Sequence, residues 1–154
     1  MVLKILKYPN QILRKKSEEV EKITPEIENL AKEMILVMEK ERGIGIAAPQ
    51  VGVLKRIIAL QTEKGPEVFI NPKIIKKSKE AAALEEGCLS FPGLFLKIKR
   101  PKTVEIETLN LDGENLRFRA EGLISRVLQH EIDHLDGILF FDKISFWQRR
   151  KLNL

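Results

Sequence analysis

A chain of 154 residues, 44% apolar and 32% charged, is long enough to bury a core and is read as one domain over residues 1–154. No apolar run approaches the roughly 20 residues of a membrane helix, and the opening MVLKILKYPN lacks the pattern of a cleavable leader or a transit segment, so a cytoplasmic protein is expected. The net charge of +5 gathers in short basic clusters (Arg14 to Lys16, Lys76 to Lys79, Lys97 to Lys102, Arg149 to Lys151) with few aromatic residues between them, which argues against base-specific DNA or RNA recognition and leaves either a solvated surface or loose docking on an anionic partner such as ribosomal RNA.

The first element in the pattern is a helix beginning at Thr24. Thr24 suits the cap, Pro25 the first turn, and Ile27, Leu30, Met34 and Met38 recur on one face until Gly43 closes the helix. GIGIAAPQVG (43–52) is too rich in glycine for a regular element and predicts an irregular, backbone-defined segment. Arg56 to Gln61 reads as a short buried strand, Gly65-Pro66 as a turn, and Val68 to Asn71 as another extended piece. Residues 94 to 119 alternate like antiparallel sheet. Val104, Ile106 and Thr108 are interleaved with Glu105 and Glu107, Asp112-Gly113 marks a hairpin, and Leu116 and Phe118 return. The period then changes to helical over Gly122 to Asp136, ended by Gly137, and Phe140, Phe141, Ile144, Phe146 and Trp147 are expected to pack back on the body. Strands around one central helix, with a second helix near the N-terminus, predict an α+β fold.

Both histidines of the chain lie in QHEIDHLDG (129–137). Positions four apart on a helix are separated by about 40° around the axis and one turn along it, so His130 and His134 aim at one point. Glu131 is turned aside by about 100°, where it reaches a metal-bound water without ligating. Two histidines with this spacing and a Glu after the first arise by chance roughly once in a thousand such chains. Downstream of His134 there is neither His nor Glu, unlike the usual protease form of HExxH. That argues for a third ligand from upstream, and Cys88 in LEEGCLSFPG (84–93) is the candidate. A lone cysteine is alternatively inert packing or a nucleophile. Cys plus two His leaves one position open, the mark of a catalytic rather than a structural site.

HEIDH at 130–134, EGCLS at 86–90 and GIGIAAPQ at 43–50 resemble, in order and approximate spacing, the three signature segments of the peptide deformylase family, and YPNQILRKKS resembles the family's opening turn. The resemblance implies antiparallel sheets packed around a central metal-binding helix. It implies removal of the formyl group from N-formylmethionyl nascent polypeptides, with release of formate. The implied metal ligands are Cys88, His130 and His134, holding one divalent ion, Fe2+ in the first place with Zn2+ or Ni2+ as substitutes. Attack by metal-bound water is assisted by Glu131 as general base and then acid, and the oxygen charge is met by the Gln50 amide and the Leu89 backbone N–H. Gly43, Ile44 and Gly45 pair with the substrate backbone, and Ile44, Leu123 and Val127 wall the methionine pocket. Glu86 and Asp133 are candidates for orienting the imidazoles or, equally, for surface salt bridges. Phe95 stands where many members carry Arg or Tyr, and transient ribosome contact falls to the basic surface. The rivals are a metallo-amidase or peptidase acting on another acyl substrate, and a non-catalytic metal-binding module docked on ribosomes.

Overall fold

The computed structural model describes residues 3–154. In chain order its main elements are α1 (Pro25–Lys40), β1 (Gly45–Ala47), β2 (Ile57–Thr62), β3 (Gly65–Lys77), β4 (Ala81–Cys88), β5 (Phe91–Pro101), β6 (Thr103–Leu109), β7 (Asn115–Glu121), α2 (Gly122–Leu135) and α3 (Phe146–Lys151), with short 3-10 turns at Gln11–Arg14, Ala48–Val51 and Phe140–Lys143. Five strands form one antiparallel sheet in the order β1-β2-β3-β6-β7, and β4-β5 form a separate hairpin. This is the expected α+β arrangement.

The central run Ile57-Ile58-Ala59-Leu60 is apolar at every position because both faces of β2 are covered. Ile57 and Ala59 join Val68, Ile70, Met34 and Met38 beneath α1. Ile58 and Leu60 point the other way and join Val104, Ile106, Val127, Leu128, Ile132 and Leu135, which seat α2 on the sheet. A third cluster, with Leu13, Phe91, Leu96, Ile98, Phe140 and Phe141, packs β5 against the N-terminal segment and the turn after α2. The metal-motif helix is thus held between the sheet and the hairpin, and β1 lies at the open edge of the sheet beside it.

The helix at Thr24 forms as expected, with Thr24 Oγ1 accepting from the Ile27 N–H at 3.3 Å. Its end differs. The helix stops at Lys40, and Arg42, not Gly43, takes the left-handed conformation with φ 57°. The Arg42 N–H donates to the Glu39 carbonyl at 3.0 Å and the Gly43 N–H to that of Met38 at 2.9 Å, a Schellman closure that falls one residue early. The segment 43–52, read as irregular, contains the short strand β1 followed by a 3-10 turn. The turn expected at Gly65-Pro66 lies at Glu63-Lys64 instead, since Thr62 pairs with Gly65 and Gln61 with Pro66. The extended piece expected at 68–71 is part of a strand of 13 residues. β4 is unanticipated: its face is mostly exposed, so it carries no buried alternation to read. At the C-terminus Phe140 and Phe141 are buried as expected, but Phe146 and Trp147 remain 59% and 70% exposed on α3. No helix of the described residues is long and apolar enough to cross a membrane.

Candidate metal centre

β4 delivers Cys88 to its last position, and α2 delivers His130 and His134 from its buried side. Ligand atoms of these three residues lie within 4.8 Å of one another, with Cys88 Sγ 3.4 Å from His134 Nε2. Around a tetrahedral ion, bond lengths typical for zinc place sulfur and nitrogen about 3.5 Å apart, so the donor set fits a divalent cation. The His130 ring is oriented from behind, since its Nδ1 lies 2.9 Å from Glu86 Oε1 and its Nε2 is left to face the thiol.

Glu86 is 7% exposed and sits between two arginines. Arg100 donates to it from Nε at 2.6 Å and from Nη2 at 3.0 Å, and Arg126 donates from Nη1 at 2.6 Å. Arg100 also reaches Asp133 Oδ2 at 2.9 Å. Asp133, a candidate either for orienting an imidazole or for a salt bridge, pairs with Arg100. It follows His130 by three positions but its side chain is drawn toward the hairpin. His134 Nδ1 is buried with no hydrogen-bond partner among the described residues, as is Glu131 Oε2.

The electrostatics follow from this crowding. Burial opposes charge on Glu86, yet the bonds from His130 and Arg100 prevail and hold it down at about 2. Burial likewise opposes a charged His130, but Cys88, Glu86 and Glu131 raise it to about 10: groups suited to a bound cation here favour a proton. His134 is driven well below the ordinary imidazole range by burial, His130 and Arg100, which leaves it neutral with a lone pair to donate. Glu131 is pushed up to about 7, first by burial and then by the charges of Glu86 and Asp133, against His130 and Arg100.

A cleft of about 460 Å³ opens over this group. Gly43, Ile44, Gly45, Leu89, Leu123, Val127, His130 and Glu131 all line it, together with Lys7 and Phe95. Leu123 and Ile44, expected as walls of the methionine pocket, are 60% and 50% exposed, and both line this cleft. Gln50 is fully buried behind Cys88, its Nε2 3.6 Å from Sγ and 3.2 Å from Ser90 Oγ. Its Oε1 accepts from the Ala47 N–H at 2.9 Å, which fixes which end of the amide faces the thiol. Three successive residues of the N-terminal segment brace the surrounding loops. The Leu6 N–H donates to the Gln50 carbonyl at 2.7 Å, Lys7 Nζ to that of Leu89 at 2.9 Å, and the Tyr8 N–H to that of Ser90 at 3.0 Å.

Sequence reasoning did not find Arg100, Arg126, Lys7 or Ser90. For two of these a signal existed. Arg100 continues the inward phase of Leu96 and Ile98 along β5, and Arg126 lies four positions before His130, on the helix face that carries the two histidines.

The polypeptide deformylase family matches residues 2–150 of this chain. The chain belongs to that family. Peptide deformylase of Desulforudis audaxviator is 44% identical over 151 residues, covering 97% of this chain and 98% of that one. The enzyme of Thermodesulfovibrio yellowstonii is 46% identical, covering 94% and 90%. Among solved structures, the Thermotoga maritima peptide deformylase superposes with a TM-score of 0.91 at 38% identity, covering 94% and 99%. A Synechococcus elongatus peptide deformylase, solved in complex with actinonin, does so at 0.92 with 38% identity, covering 97% and 82%. As a peptide deformylase the chain is a metal-dependent hydrolase that removes the formyl group from polypeptide N-termini.

Proposed function

We propose that Cys88 Sγ, His130 Nε2 and His134 Nε2 hold one divalent ion, Fe2+ in the cell, and that the substrates are N-formylmethionyl nascent polypeptides in the cytoplasm. The observation that carries this is the meeting of the chain's single thiol with both of its imidazoles, at 3.4 Å for one pair, beneath an apolar cleft. A thiolate and two imidazoles also accept Zn2+ or Ni2+. When bound, the ion supplies Lewis acidity, lowering the pKa of coordinated water and stabilising charge on the formyl oxygen.

The rest is the work of the chain. Glu131, with Oε2 unpartnered among the described residues and Oε1 3.8 Å from His130 Nε2, takes the proton of the attacking water and hands it to the departing amine. The Gln50 amide and the Leu89 backbone N–H donate to the formyl oxygen as it gains charge. Gly43 and Ile44, which lead into the open edge strand β1, and Gly45, its first residue, pair with the substrate backbone like an added strand. Leu123, Val127 and Ile44 wall the pocket for the methionine side chain. The basic clusters, including Arg149 to Lys151 at the end of α3, make transient contact with the ribosome.

The deciding experiment is anaerobic formate release from a formyl-Met peptide with the bound metal quantified, run beside acetyl-Met and unblocked peptides. Equal turnover of all three rejects this substrate assignment. Glu131→Gln is expected to keep the ion and lose turnover by about a hundred-fold or more, and Cys88→Ala to lose both. Activity that decays in air and returns with anaerobic ferrous iron assigns iron. A strong fall in ribosome co-sedimentation between low and physiological salt is expected of the basic contact.

A further inference from the structure

Arg126 lies on the buried side of α2, one turn before His130, and is 6% exposed. A guanidinium taken out of water at that position needs partners, and three of its five N–H donors have them. Nη1 donates to Glu86 Oε2 at 2.6 Å and to the Ile98 carbonyl at 2.8 Å, and Nη2 donates to the Ala82 carbonyl at 2.7 Å. These three acceptors come from both strands of the β4-β5 hairpin, so a single side chain fastens α2 to the hairpin that carries Cys88.

The consequence falls on Glu86. A carboxylate offers about four lone-pair directions. Arg100 Nε and Arg126 Nη1 occupy Oε2, both at 2.6 Å, and Arg100 Nη2 and His130 Nδ1 occupy Oε1, at 3.0 and 2.9 Å. The group cannot turn without breaking one of these bonds, and the His130 ring is held with it. Removing Arg126 halves the donors on Oε2 and frees the carboxylate to follow Arg100 away from the ring.

The same side chain is also a wall. Arg126 lines the cleft of about 460 Å³ that contains Cys88, His130 and Glu131, and it lines a second cavity of about 730 Å³ next to it, bordered by Leu84, Lys102 and Gly122. It is common to the linings of both, as is Leu123. We propose that Arg126 is a positioning residue that fixes His130 through Glu86 and, as the partition between the two cavities, limits the size of the first side chain the cleft admits. This rests on the reading of His130 as a metal ligand.

The test uses the cobalt(II)-loaded protein, whose visible spectrum reports both the thiolate bond and the placement of the imidazoles. Arg126→Met keeps the length of the stem and removes the charge. It is expected to shift the visible bands, to speed cobalt loss to a chelator by about ten-fold, and to lower kcat by a similar factor with KM for formyl-Met peptides nearly unchanged. Arg126→Lys restores part of each effect. Arg126→Ala removes the partition as well, so its kcat/KM for formyl-Phe relative to formyl-Met peptides rises about five-fold above that of Arg126→Met. A wild-type spectrum and release rate in Arg126→Met overturn the positioning role; identical side-chain preference in the Met and Ala variants overturns the partition. If circular dichroism shows Arg126→Met unfolded, Arg126→Lys carries the same comparison, because lysine cannot span Glu86, Ile98 and Ala82 together, and a wild-type spectrum there overturns the proposal. Absence of a thiolate-to-cobalt band in the wild-type protein is a separate failure, that of the ligand assignment itself.

Discussion

Gln50 is held at both ends of its amide, Oε1 by the Ala47 N–H and Nε2 between Cys88 Sγ and Ser90 Oγ. A donor fixed in advance gains most when charge appears in front of it, so Gln50→Ala is expected to lower kcat by about a hundred-fold while KM changes little. An unchanged kcat would remove Gln50 from the oxyanion role. Gly45 makes a second case at this scale. A Cβ there would lie 2.7 Å from Val127 Cγ1 and 3.0 Å from Glu131 Cγ, closer than packed carbons tolerate. Gly45→Ala is therefore expected to displace the Glu131 side chain and cut turnover while leaving bound metal near one ion per chain; full activity in that variant would show that the cleft yields at no cost. The sequence showed Gly45 to be unusual only through its GIG setting, because what a glycine stands beside is not written in its neighbours along the chain.

At the scale of elements, α2 was legible almost to the residue. Its apolar spacing, its two histidines and Gly137 are all local signals, and the helix runs Gly122–Leu135 with Gly137 at φ 72°. A Cβ at Gly137 would also collide with the Arg14 backbone carbonyl. Gly137→Ala thus combines left-handed strain with a clash against main chain, and a loss of about 2 kcal/mol in urea unfolding is expected; a variant as stable as the parent would mean that the chain re-routes after Leu135. The hairpin β4-β5 was legible only in part. Arg100 and Arg126 belong to the hairpin and the helix separately, yet each is explained only by Glu86, from which they are 14 and 40 residues distant. Charged residues in phase with buried positions were the available clue, and such residues announce that a partner exists without naming it.

Across the whole molecule, the N-terminal segment and the C-terminal turn are joined by Arg14 and Asp142, whose paired contacts measure 2.6 and 3.0 Å. Burial opposes charge on Asp142, but the bonds from Arg14 and the Leu139 N–H lower its pKa. A carboxylate whose pKa is depressed by folding adds stability above its unfolded value near 3.8, and that stability is lost as pH falls below it. Asp142→Asn should accordingly be slightly less stable at neutral pH, by under about 1 kcal/mol because Arg14 is partly exposed, with a shallower loss of stability from pH 5 to pH 3. Parallel acid limbs for the two proteins would contradict this linkage. A larger effect is expected from the ion. Binding only to the folded chain adds about 4 kcal/mol when free ion exceeds its Kd a thousand-fold, so chelation should lower Tm by roughly 10 °C. Cys88→Ala should melt at one temperature with or without chelator; if it responds as the parent does, the thiol is not a ligand.

The sequence by itself determined the paired imidazoles, the glutamate beside them and the alternation of β6, because helix and strand periods are properties of neighbouring residues. Only the tertiary structure decided that a thiol 46 residues before His134 arrives 3.4 Å from its ring, that Asp133 turns to Arg100 rather than to a histidine, and that Phe146 and Trp147 stay outside the core. Those outcomes depend on sheet order and on which of several competing partners gains most by burial. Such sums run over residues far apart in the chain, and no local pattern contains them.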